Sequence, residues 1–335
     1  MKFLIVGLGS MGKRRIRNLK HLNQNDVIGF DISEERRKEV SEKYGIQTFD
    51  DISNALKEQP NAMVISTPPD QHMKYAKIAI QNGIHFFTEA SVVQEEMDDV
   101  INDLHSLDLV GLPSCTFRYH PIVLQVNDVL NSGKIGKPLA FLYHSGQYLP
   151  DWHPWEDYRN YYVSKRSTGA CREIVPFELI WITQMFGEIG SVSAFKTKVS
   201  KLDVDIDDIY SVLFQFKNKM VGNLTVDVIT RVPYRQLKIL GEDGVIFADW
   251  LEKSVGYFRK ETGWTNLKVD DGLAEKNYIY GEQMYVTEME NFIKAIKKEI
   301  KQPYTFEEDL KILKILNAIE KSSDLGLVQI LIDES

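Results

Sequence analysis

Cysteines, long apolar runs and excess positive charge are the features that this sequence has least of. Its 335 residues include two cysteines, Cys115 and Cys171, whose wide separation fits no paired metal-ligand spacing. A disulfide framework and a structural zinc site are therefore not expected, and reduced thiols in a cytoplasmic protein are the default. The longest apolar runs have the length of strands, and glycines interrupt the apolar N-terminus, so neither an export signal nor a membrane span is expected.

Basic residues are outnumbered by acidic ones. The 40 lysines and arginines and the 48 carboxylates leave a formal net charge of −8. This is the wrong sign for holding nucleic acid or an anionic membrane by bulk electrostatics. None of the seven histidines forms an HxH or HExxH pattern, which disfavours a metal enzyme. We therefore expect no nucleic-acid partner, no membrane partner and no metal.

Short apolar runs alternate with segments of helical length in the first third of the chain. The runs lie at residues 3–6, 27–30, 62–66 and 85–88. This alternation is typical of repeated βαβ units and predicts a parallel sheet. Between the first two runs, apolar residues recur at helical spacing and predict an amphipathic helix. Its polar, solvent-exposed face is expected to carry Lys13, Arg14, Arg17 and Lys20.

The rhythm changes in the rest of the chain. Period-two alternation over residues 212–228, with a turn-like break at 217–219, predicts an antiparallel hairpin, and a second strand pair is expected around residues 241–244. Two helices should follow near the C-terminus. Glu288 and Glu290 come early in the first of them, where acidic residues complement the helix dipole.

The segment Gly7-Leu8-Gly9-Ser10-Met11-Gly12 matches GxGxxG between an apolar strand and an amphipathic helix. In that context the first glycine makes a tight turn, the second lets the backbone approach a pyrophosphate, and the third permits close helix packing. Asp31, 19 residues after Gly12, ends the second strand, where a carboxylate can accept hydrogen bonds from the adenosine ribose and so favours NAD. Arg36 and Arg37 leave NADP open, although their expected role is a solvated helix face.

Three motifs resemble the glucose-fructose oxidoreductase and inositol dehydrogenase family, Gfo/Idh/MocA. They are the glycine segment, Ser66-Thr67-Pro68-Pro69-Asp70-Gln71-His72 and Phe117-Arg118-Tyr119-His120-Pro121. The resemblance covers nearly the whole chain. It implies an α/β fold with a Rossmann NAD(P)-binding domain over residues 1–120. An α+β domain with an open, mainly antiparallel sheet is implied over residues 121–335, and its last helices could pack back on the first domain. It also implies a homodimer or homotetramer formed through that sheet, and further cofactor contacts from Ser66, Thr67, Pro68, His72 and Glu89.

Residues 147–159 resemble a branch of the family associated with bacterial surface-sugar and nonulosonic-acid gene clusters. Aromatic rings there suit the C–H faces of a sugar, and polar side chains offer directional contacts; the alternative is that the aromatics only pin a loop. The residues expected to contact a carbohydrate are Arg118, His120, Trp152, Trp155, Tyr158, Arg159 and Arg172. A lone histidine such as His72 or His120 could equally be a helix cap or a core donor.

The chain departs from the family at the positions that carry its proton chemistry. The family's EKP tripeptide, whose lysine polarises the reacting hydroxyl, reads Glu89-Ala90-Ser91, and Phe177 and Ile180 occupy the later histidine and aspartate positions. Alanine has no proton to exchange. General acid–base help is worth about 10² to 10⁴-fold in rate, so another group is needed if the protein catalyses this chemistry.

The expected replacements are Glu173 first and Lys165 second, with His153 as an imidazole close to a recognisable segment. The alternative for Glu173 is an ion pair with Arg172 or Lys165, and the alternative for Lys165 is a solvated loop charge. The leading hypothesis is an NAD(P)-dependent oxidoreductase acting on a sugar, sugar acid or nucleotide-linked sugar. Two others stay open: a non-redox enzyme that retains NAD, such as an epimerase, eliminase or hydrolase, and a catalytically silent, cofactor-binding regulatory subunit.

Overall fold

The computed structural model describes residues 1–152, 156–272, 274 and 281–331. The helices of these residues are α1 (Ser10–His21), α2 (Glu34–Tyr44), α3 (Ile52–Lys57), α4 (His72–Gln81), α5 (Met97–His105), α6 (Pro121–Asn131), α7 (Cys171–Phe186), α8 (Gln283–Ile296) and α9 (Phe306–Leu325). The strands are β1 (Phe3–Val6), β2 (Val27–Phe30), β3 (Thr48–Phe49), β4 (Ala62–Ile65), β5 (His85–Thr88), β6 (Gly111–Pro113), β7 (Pro138–Tyr148), β8 (Ile189–Thr197), β9 (Ile209–Phe216), β10 (Val221–Asp227), β11 (Ile229–Gly241), β12 (Gly244–Asp249), β13 (Ser254–Arg259), β14 (Gly263–Lys268) and β15 (Gln329–Ile330).

The chain divides into two compact units. They are Met1–Thr116 with Glu282–Lys311, and Phe117–Gly281 with Ile312–Ser335. The sequence predicts domains of 1–120 and 121–335, and the structure differs mainly in assigning residues 282–311 to the first unit. The physical reason is core packing: Met289 and Phe292 of α8 are fully buried in the same apolar cluster as Phe3 of β1.

The first unit is built on a parallel sheet. Its strands, among the described residues, are hydrogen-bonded in the order β3-β2-β1-β4-β5-β6, and each neighbouring pair is parallel. This is the strand order of a doubly wound, dinucleotide-binding fold. All residues of β1, β2 and β4 are buried, as expected for strands covered on both faces. The predicted parallel sheet of the α/β class is confirmed.

A buried guanidinium joins separate parts of the first unit. Arg15 of α1 is fully buried and donates to Glu89 at 2.8 and 2.7 Å and to Glu288 of α8 at 2.8 Å. Burial acts to lower the pKa of Arg15, but the two carboxylates outweigh it and raise that pKa. The prediction of a solvent-exposed polar face on α1 is wrong for Arg14, which is buried and pairs with Glu282 at 3.0 Å. Glu288 is likewise a buried partner rather than an exposed complement to the helix dipole.

The second unit contains a mixed, mainly antiparallel sheet. In the described part of the chain its order is β14-β13-β12-β11-β7-β10-β9-β8-β15, and β7 and β10 form a parallel pair within it. The predicted hairpin is β9 with β10, and the second predicted strand pair is β11 with β12; both are antiparallel. The expected open, mainly antiparallel sheet is therefore confirmed.

Helix α7 is anchored to this sheet through a buried carboxylate. Glu178 is fully buried and accepts hydrogen bonds from Tyr143 of β7 at 2.8 Å, Trp181 at 2.7 Å and Arg235 of β11 at 2.7 Å. Since a buried charge is tolerated when it is paired and its remaining lone pairs are satisfied, Glu178 serves as a structural fastening. It also fixes the face that α7 turns to the sheet.

The residue before α7 has a strained backbone. Ala170, the N-cap residue, has φ 55° and ψ −131°, a region that L-residues rarely adopt. The preceding Gly169 has no room for a side chain, because a Cβ atom there would overlap the carbonyl group of Val163. The start of α7 is thus held in a tight turn against the segment before it.

Replacing Ala170 with glycine should raise the free energy of unfolding by about 1 kcal/mol, because removal of a strain worth about 1–3 kcal/mol exceeds the extra entropy of glycine in the unfolded chain. Chemical denaturation of the parent and the Ala170→Gly variant measures this change. The matched control is Ala76→Gly in the middle of α4, which should destabilise by about 1 kcal/mol. An Ala170→Gly variant destabilised to the same degree would contradict the assignment of strain.

Candidate functional site

The glycine segment forms a compact turn between β1 and α1. Gly7 has φ +90°, and a Cβ atom there would contact the carbonyl group of Ser66. A Cβ atom on Gly12 would overlap the carbonyl oxygen of Gly7. Gly9 differs, because the nearest atom to a Cβ placed there is Nη1 of Arg36, 3.8 Å away. The fold therefore requires glycine at positions 7 and 12, whereas position 9 has room for a side chain beside the backbone.

The start of α1 suits an anion. Its N-cap residue is Gly9, so no side chain caps the helix, and its first turn carries no acidic residue. Backbone N–H groups at such a terminus, together with the helix dipole, favour a phosphate group. The open space at Gly9 is what a dinucleotide pyrophosphate needs to approach the backbone, so the residues present fit NAD.

Asp31 is fixed at the end of β2. Its Oδ2 accepts a hydrogen bond from the Leu8 amide at 2.7 Å, and its Oδ1 accepts one from the Ser33 amide at 2.8 Å. A carboxylate has about four lone-pair sites, so acceptor capacity is left for a ribose hydroxyl. Arg36 is exposed, as expected for a solvated helix face, with its Nη1 3.8 Å from Oδ2 of Asp31. Arg37 departs from that expectation, because it is half-buried and donates to the Asp31 carbonyl at 2.8 Å.

The turn after β4 is held from two sides. Ser66 Oγ donates to Glu89 at 3.0 Å, and His72 Nε2 donates to the Thr67 carbonyl at 2.9 Å. Burial lowers the pKa of His72 against the opposing effect of that hydrogen bond, so the ring is neutral and acts as a structural donor. Thr67 Oγ1 is buried without a hydrogen-bond partner among the described residues, which leaves a polar atom for a ligand next to Pro68.

Glu89, Ala90 and Ser91, the residues predicted to stand in place of the family's EKP tripeptide, follow directly after β5. The Glu89 carboxylate is occupied by Arg15 and Ser66, so it orders the end of β5. Ala90 is partly exposed and Ser91 is buried. A direct contact between Glu89 and a cofactor stays a prediction.

Glu173 lies in the first turn of α7. Its Oε1 accepts a hydrogen bond from Tyr162 at 2.9 Å, and its Oε2 is buried without a partner in the described part of the chain. Burial raises the pKa of Glu173 to about 7, although the hydrogen bond from Tyr162 opposes the shift. Arg172 turns instead to Glu320, at 2.8 Å, and Lys165 is exposed. The alternative of an ion pair with Arg172 is therefore not what the structure shows.

The other predicted substrate contacts are dispersed through the second unit. His120 is buried and caps α6, with Nδ1 accepting from the Ile122 amide at 3.1 Å; burial, with the charges of Arg235 and Lys253, lowers its pKa to about 3. Arg118 donates to the Ile180 carbonyl at 3.4 Å.

Tyr158 and Arg159 lie beside the loop that carries Asp203. The Asp203 amide donates to the Tyr158 hydroxyl at 3.3 Å, and Arg159 pairs with Asp157 at 2.6 Å and with Asp203 at 3.4 Å. Trp152 is partly buried. His153 and Trp155 lie outside the described residues, and the substrate role of all these side chains stays a prediction.

Tyr162, which lies 11 residues before Glu173, is a site residue that the sequence does not reveal. No periodic pattern or motif marks that spacing, since the contact depends on the turn that brings residues 162–164 back to the start of α7.

Neither a metal-binding cluster nor a membrane-spanning helix is present in residues 1–152, 156–272, 274 and 281–331. In these residues no group of three or more His, Cys, Asp and Glu side chains is arranged to hold a metal ion. The same residues include no helix with the length and apolar character needed to cross a bilayer.

The parallel sheet, the uncapped helix behind the glycine turn and the acidic residue at the end of β2 define a dinucleotide-binding protein. Comparison with family models makes this specific. The chain belongs to the GFO/IDH/MocA oxidoreductase family: the model of its NAD-binding Rossmann fold matches residues 1–102, and the model of its C-terminal domain matches residues 123–247. The predicted resemblance, the oxidoreductase class and NAD as cofactor are confirmed.

Individual relatives agree with this membership. The myo-inositol 2-dehydrogenase of Thermotoga maritima is 23% identical, with 96% of both chains aligned. The UDP-N-acetylglucosamine 3-dehydrogenase of Acidithiobacillus ferrooxidans is 22% identical over 78% of both chains. A solved levoglucosan dehydrogenase in complex with NADH is similar with a TM-score of 0.84 at 18% identity, covering 99% of both chains. That last likeness shows the fold.

We expect Gly9→Val to abolish NAD binding and to leave the melting temperature close to that of the parent. Gly9 has an ordinary backbone conformation, φ −72° and ψ −158°, and open space for a side chain, which would then exclude the pyrophosphate. Gly12→Ala is the control, because overlap with Gly7 should destabilise the fold by about 1–3 kcal/mol or more. Calorimetric NAD titration and thermal melts measure both effects; unchanged NAD affinity in Gly9→Val would contradict the assignment.

The raised pKa of Glu173 makes stability depend on pH. Between pH 4.5 and 7 the unfolded chain loses this proton while the folded protein keeps it, so the parent loses stability as pH rises through that window. At about 1.4 kcal/mol per pKa unit, the loss approaches 3 kcal/mol. Glu173→Gln should therefore become more stable relative to the parent from pH 4.5 to 7. Urea denaturation of both proteins across this range measures the difference, and a constant difference would contradict the shift.

Proposed function

We propose that this protein is an NAD-dependent dehydrogenase that oxidises a hydroxyl group of a sugar, a sugar acid or a nucleotide-linked sugar, or reduces the matching ketone. The observation that carries the proposal is the intact glycine turn with open space at Gly9 and Asp31 beside it. Relatives named for action on an inositol and on a nucleotide sugar support the substrate class.

The residues proposed to hold NAD are Gly7, Gly9, Ser10, Met11, Gly12, Asp31, Ser66, Thr67 and Pro68. When bound, NAD supplies the hydride acceptor or donor of the reaction. Glu89 and His72 act behind these residues, because each holds one side of the turn that follows β4. Arg36 beside Asp31 partly offsets the carboxylate charge, so we propose that NADP also binds, but more weakly than NAD.

A hydroxyl cannot give up a hydride from its carbon unless its proton also leaves. Ala90 and Phe177 have no exchangeable proton to offer. Glu173 is our choice for the proton carrier, because its pKa of about 7 matches the working pH and carboxyl groups of such pKa are effective acid–base catalysts. Exposed Lys165 is the second choice. The polar and aromatic side chains of residues 152–159 and Arg118 are proposed to contact the carbohydrate.

The open face of the second unit's sheet supports a homo-oligomer. Leu142, Phe195 and Leu213 lie on the face opposite the one that α7 covers, with exposures of 50%, 75% and 54%. An apolar face of this kind is typical of a protein contact surface, and a second copy of the chain is the proposed partner. A monomeric mass in analytical ultracentrifugation would contradict this part.

Cys115 and Cys171 are free and buried, which fits the cytoplasm, where we place the reaction.

The test is NAD titration by calorimetry, followed by assay of myo-inositol, UDP-N-acetylglucosamine and levoglucosan for the absorbance of reduced nicotinamide. We expect NAD to bind and at least one carbohydrate to be oxidised. Turnover without net reduction of NAD would favour the non-redox alternative. NAD binding without turnover of any carbohydrate would favour the silent subunit, and an unchanged melt at millimolar NAD and NADP would contradict cofactor binding altogether.

A further inference from the structure

Arg15 of α1 holds two carboxylates, although one would neutralise it. Its partner on α8, Glu288, is fully buried and lies 2.8 Å away. Glu288 also accepts hydrogen bonds from the Ser114 hydroxyl at 3.0 Å, the Cys115 amide at 2.7 Å and the Thr116 hydroxyl at 2.7 Å. A buried ion pair whose carboxylate has this many donors is complete as a structural link between the two helices. The second carboxylate therefore needs another explanation.

This second carboxylate, Glu89, lies at the cofactor end of the parallel sheet. It follows directly after β5, and its side chain is 13% exposed. Arg15 Nε and Nη2 donate to its two oxygens at 2.8 and 2.7 Å, and Ser66 Oγ donates to its Oε1 at 3.0 Å. Ser66 in turn backs the glycine turn, because a Cβ atom on Gly7 would lie 2.5 Å from the Ser66 carbonyl oxygen. Glu89 thus connects Arg15 with the residues proposed to hold NAD.

The charge of Glu89 is unfavourable at this place. The start of α1 favours an anion, and a dinucleotide brings its negatively charged pyrophosphate there. Repulsion between exposed like charges extends over about 10 Å, and partly buried charges are screened less. A carboxylate at the end of β5 therefore opposes NAD binding unless it is turned inward and neutralised.

Arg15 is built into the core as a fixed cation. Besides its two carboxylates, its guanidinium carbon lies 4.6 Å from the ring centre of Phe87 and 5.5 Å from that of Tyr285. A planar guanidinium binds a carboxylate through two parallel hydrogen bonds and stacks on aromatic rings, and a lysine does neither in the same way. Arg15 can therefore hold the Glu89 carboxylate in one orientation.

The neighbouring ion pair on α1 offers a comparison. Arg14 is also buried and pairs at 3.0 Å with Glu282, the N-cap residue of α8. The described partners of the Glu282 carboxylate are Arg14, Arg17 and Asn18, all on α1. This pair links the same two helices, but in the described part of the chain Glu282 makes no ion pair or hydrogen bond with the turn after β4.

We propose that Arg15 is a positioning residue for NAD binding, which holds Glu89 turned inward against Ser66 and neutralises its charge beside the pyrophosphate-binding turn. This role comes in addition to the structural ion pair with Glu288. The inference rests on the proposed function, because it takes the glycine turn to bind NAD.

The experiment is a double-mutant cycle of Arg15→Lys and Glu89→Gln, read by calorimetric titration with NAD. Arg15→Lys keeps a positive charge but loses the bidentate grip, so the Glu89 carboxylate is released toward the cofactor. We expect this variant to bind NAD about tenfold more weakly than the parent. In the Glu89→Gln background the same substitution should weaken binding by less than about threefold, because no charge is left to release.

Glu282→Gln controls for the loss of a buried ion pair between the two helices. It should lower the melting temperature and keep NAD affinity within about threefold of the parent, since the turn after β4 is untouched. A purely structural role of Arg15 would give Arg15→Lys the same pattern, a lower melting temperature with unchanged NAD affinity, and that result would overturn the proposal.

A cluster without charges tests the same idea if Arg15→Lys does not fold. The triple variant Arg15→Met, Glu89→Gln and Glu288→Gln removes all three charges together, so no buried charge is left unpaired. It should bind NAD within about threefold of Glu89→Gln, because a neutral residue 89 needs no cation. A folded triple variant that does not bind NAD would overturn the proposal.

The outcomes separate this proposal from the proposed function. A parent that binds NAD, with Arg15→Lys losing equal affinity in both backgrounds, overturns the role of Arg15 alone. A parent that binds neither NAD nor NADP overturns both. A parent that shows the expected cycle but oxidises no carbohydrate supports the role of Arg15 and overturns the proposed dehydrogenase activity.

Discussion

The pairing of Arg15 with two carboxylates is the interaction on which the first unit depends. Glu89, one of the two partners, also accepts a hydrogen bond from Ser66 in the turn after β4. Glu288, the other partner, also accepts from the Cys115 amide at 2.7 Å and the Thr116 hydroxyl at 2.7 Å, just after β6. Removing one partner of a buried ion pair costs about 3–5 kcal/mol, because the remaining charge is left unpaired. The cofactor turn, the end of the central sheet and a C-terminal helix are therefore held by one guanidinium.

The buried glutamates of this protein differ in whether an arginine neutralises them. Glu178 and Glu288 have a guanidinium partner and several hydrogen-bond donors, and this makes them fastenings between elements. Among the described residues, Glu173 accepts a hydrogen bond from the Tyr162 phenol and pairs with no cation, and its pKa of about 7 lies close to neutral pH. The resemblance to the family predicts that Ala90 and Phe177 stand at its lysine and histidine positions, and under the proposed function the proton chemistry is carried by a different residue.

The sequence predicted those features that depend on neighbouring residues. The glycine turn, Asp31 at the end of β2 and the hairpin of β9 and β10 are local patterns, and each was found where the pattern lies. Contacts between distant residues could not be read in the same way: Arg15 and Glu288 are 273 positions apart, and their charges suggest exposed helix faces. Tyr162 and Glu173 are only 11 residues apart. Their contact nevertheless depends on the strained turn at Ala170, and neither alanine nor the residues beside it signal such a turn in the sequence.

The assignment of residues 282–311 to the first unit has a consequence for synthesis on the ribosome. When Thr116 has emerged, the parallel strands are complete, yet Arg15 has one of its two carboxylates and the core lacks Met289 and Phe292. The nascent first unit must therefore wait, incompletely packed, until the whole of the second unit has been translated. A chain that stops before residue 282 would expose this unfinished core to chaperones and proteases.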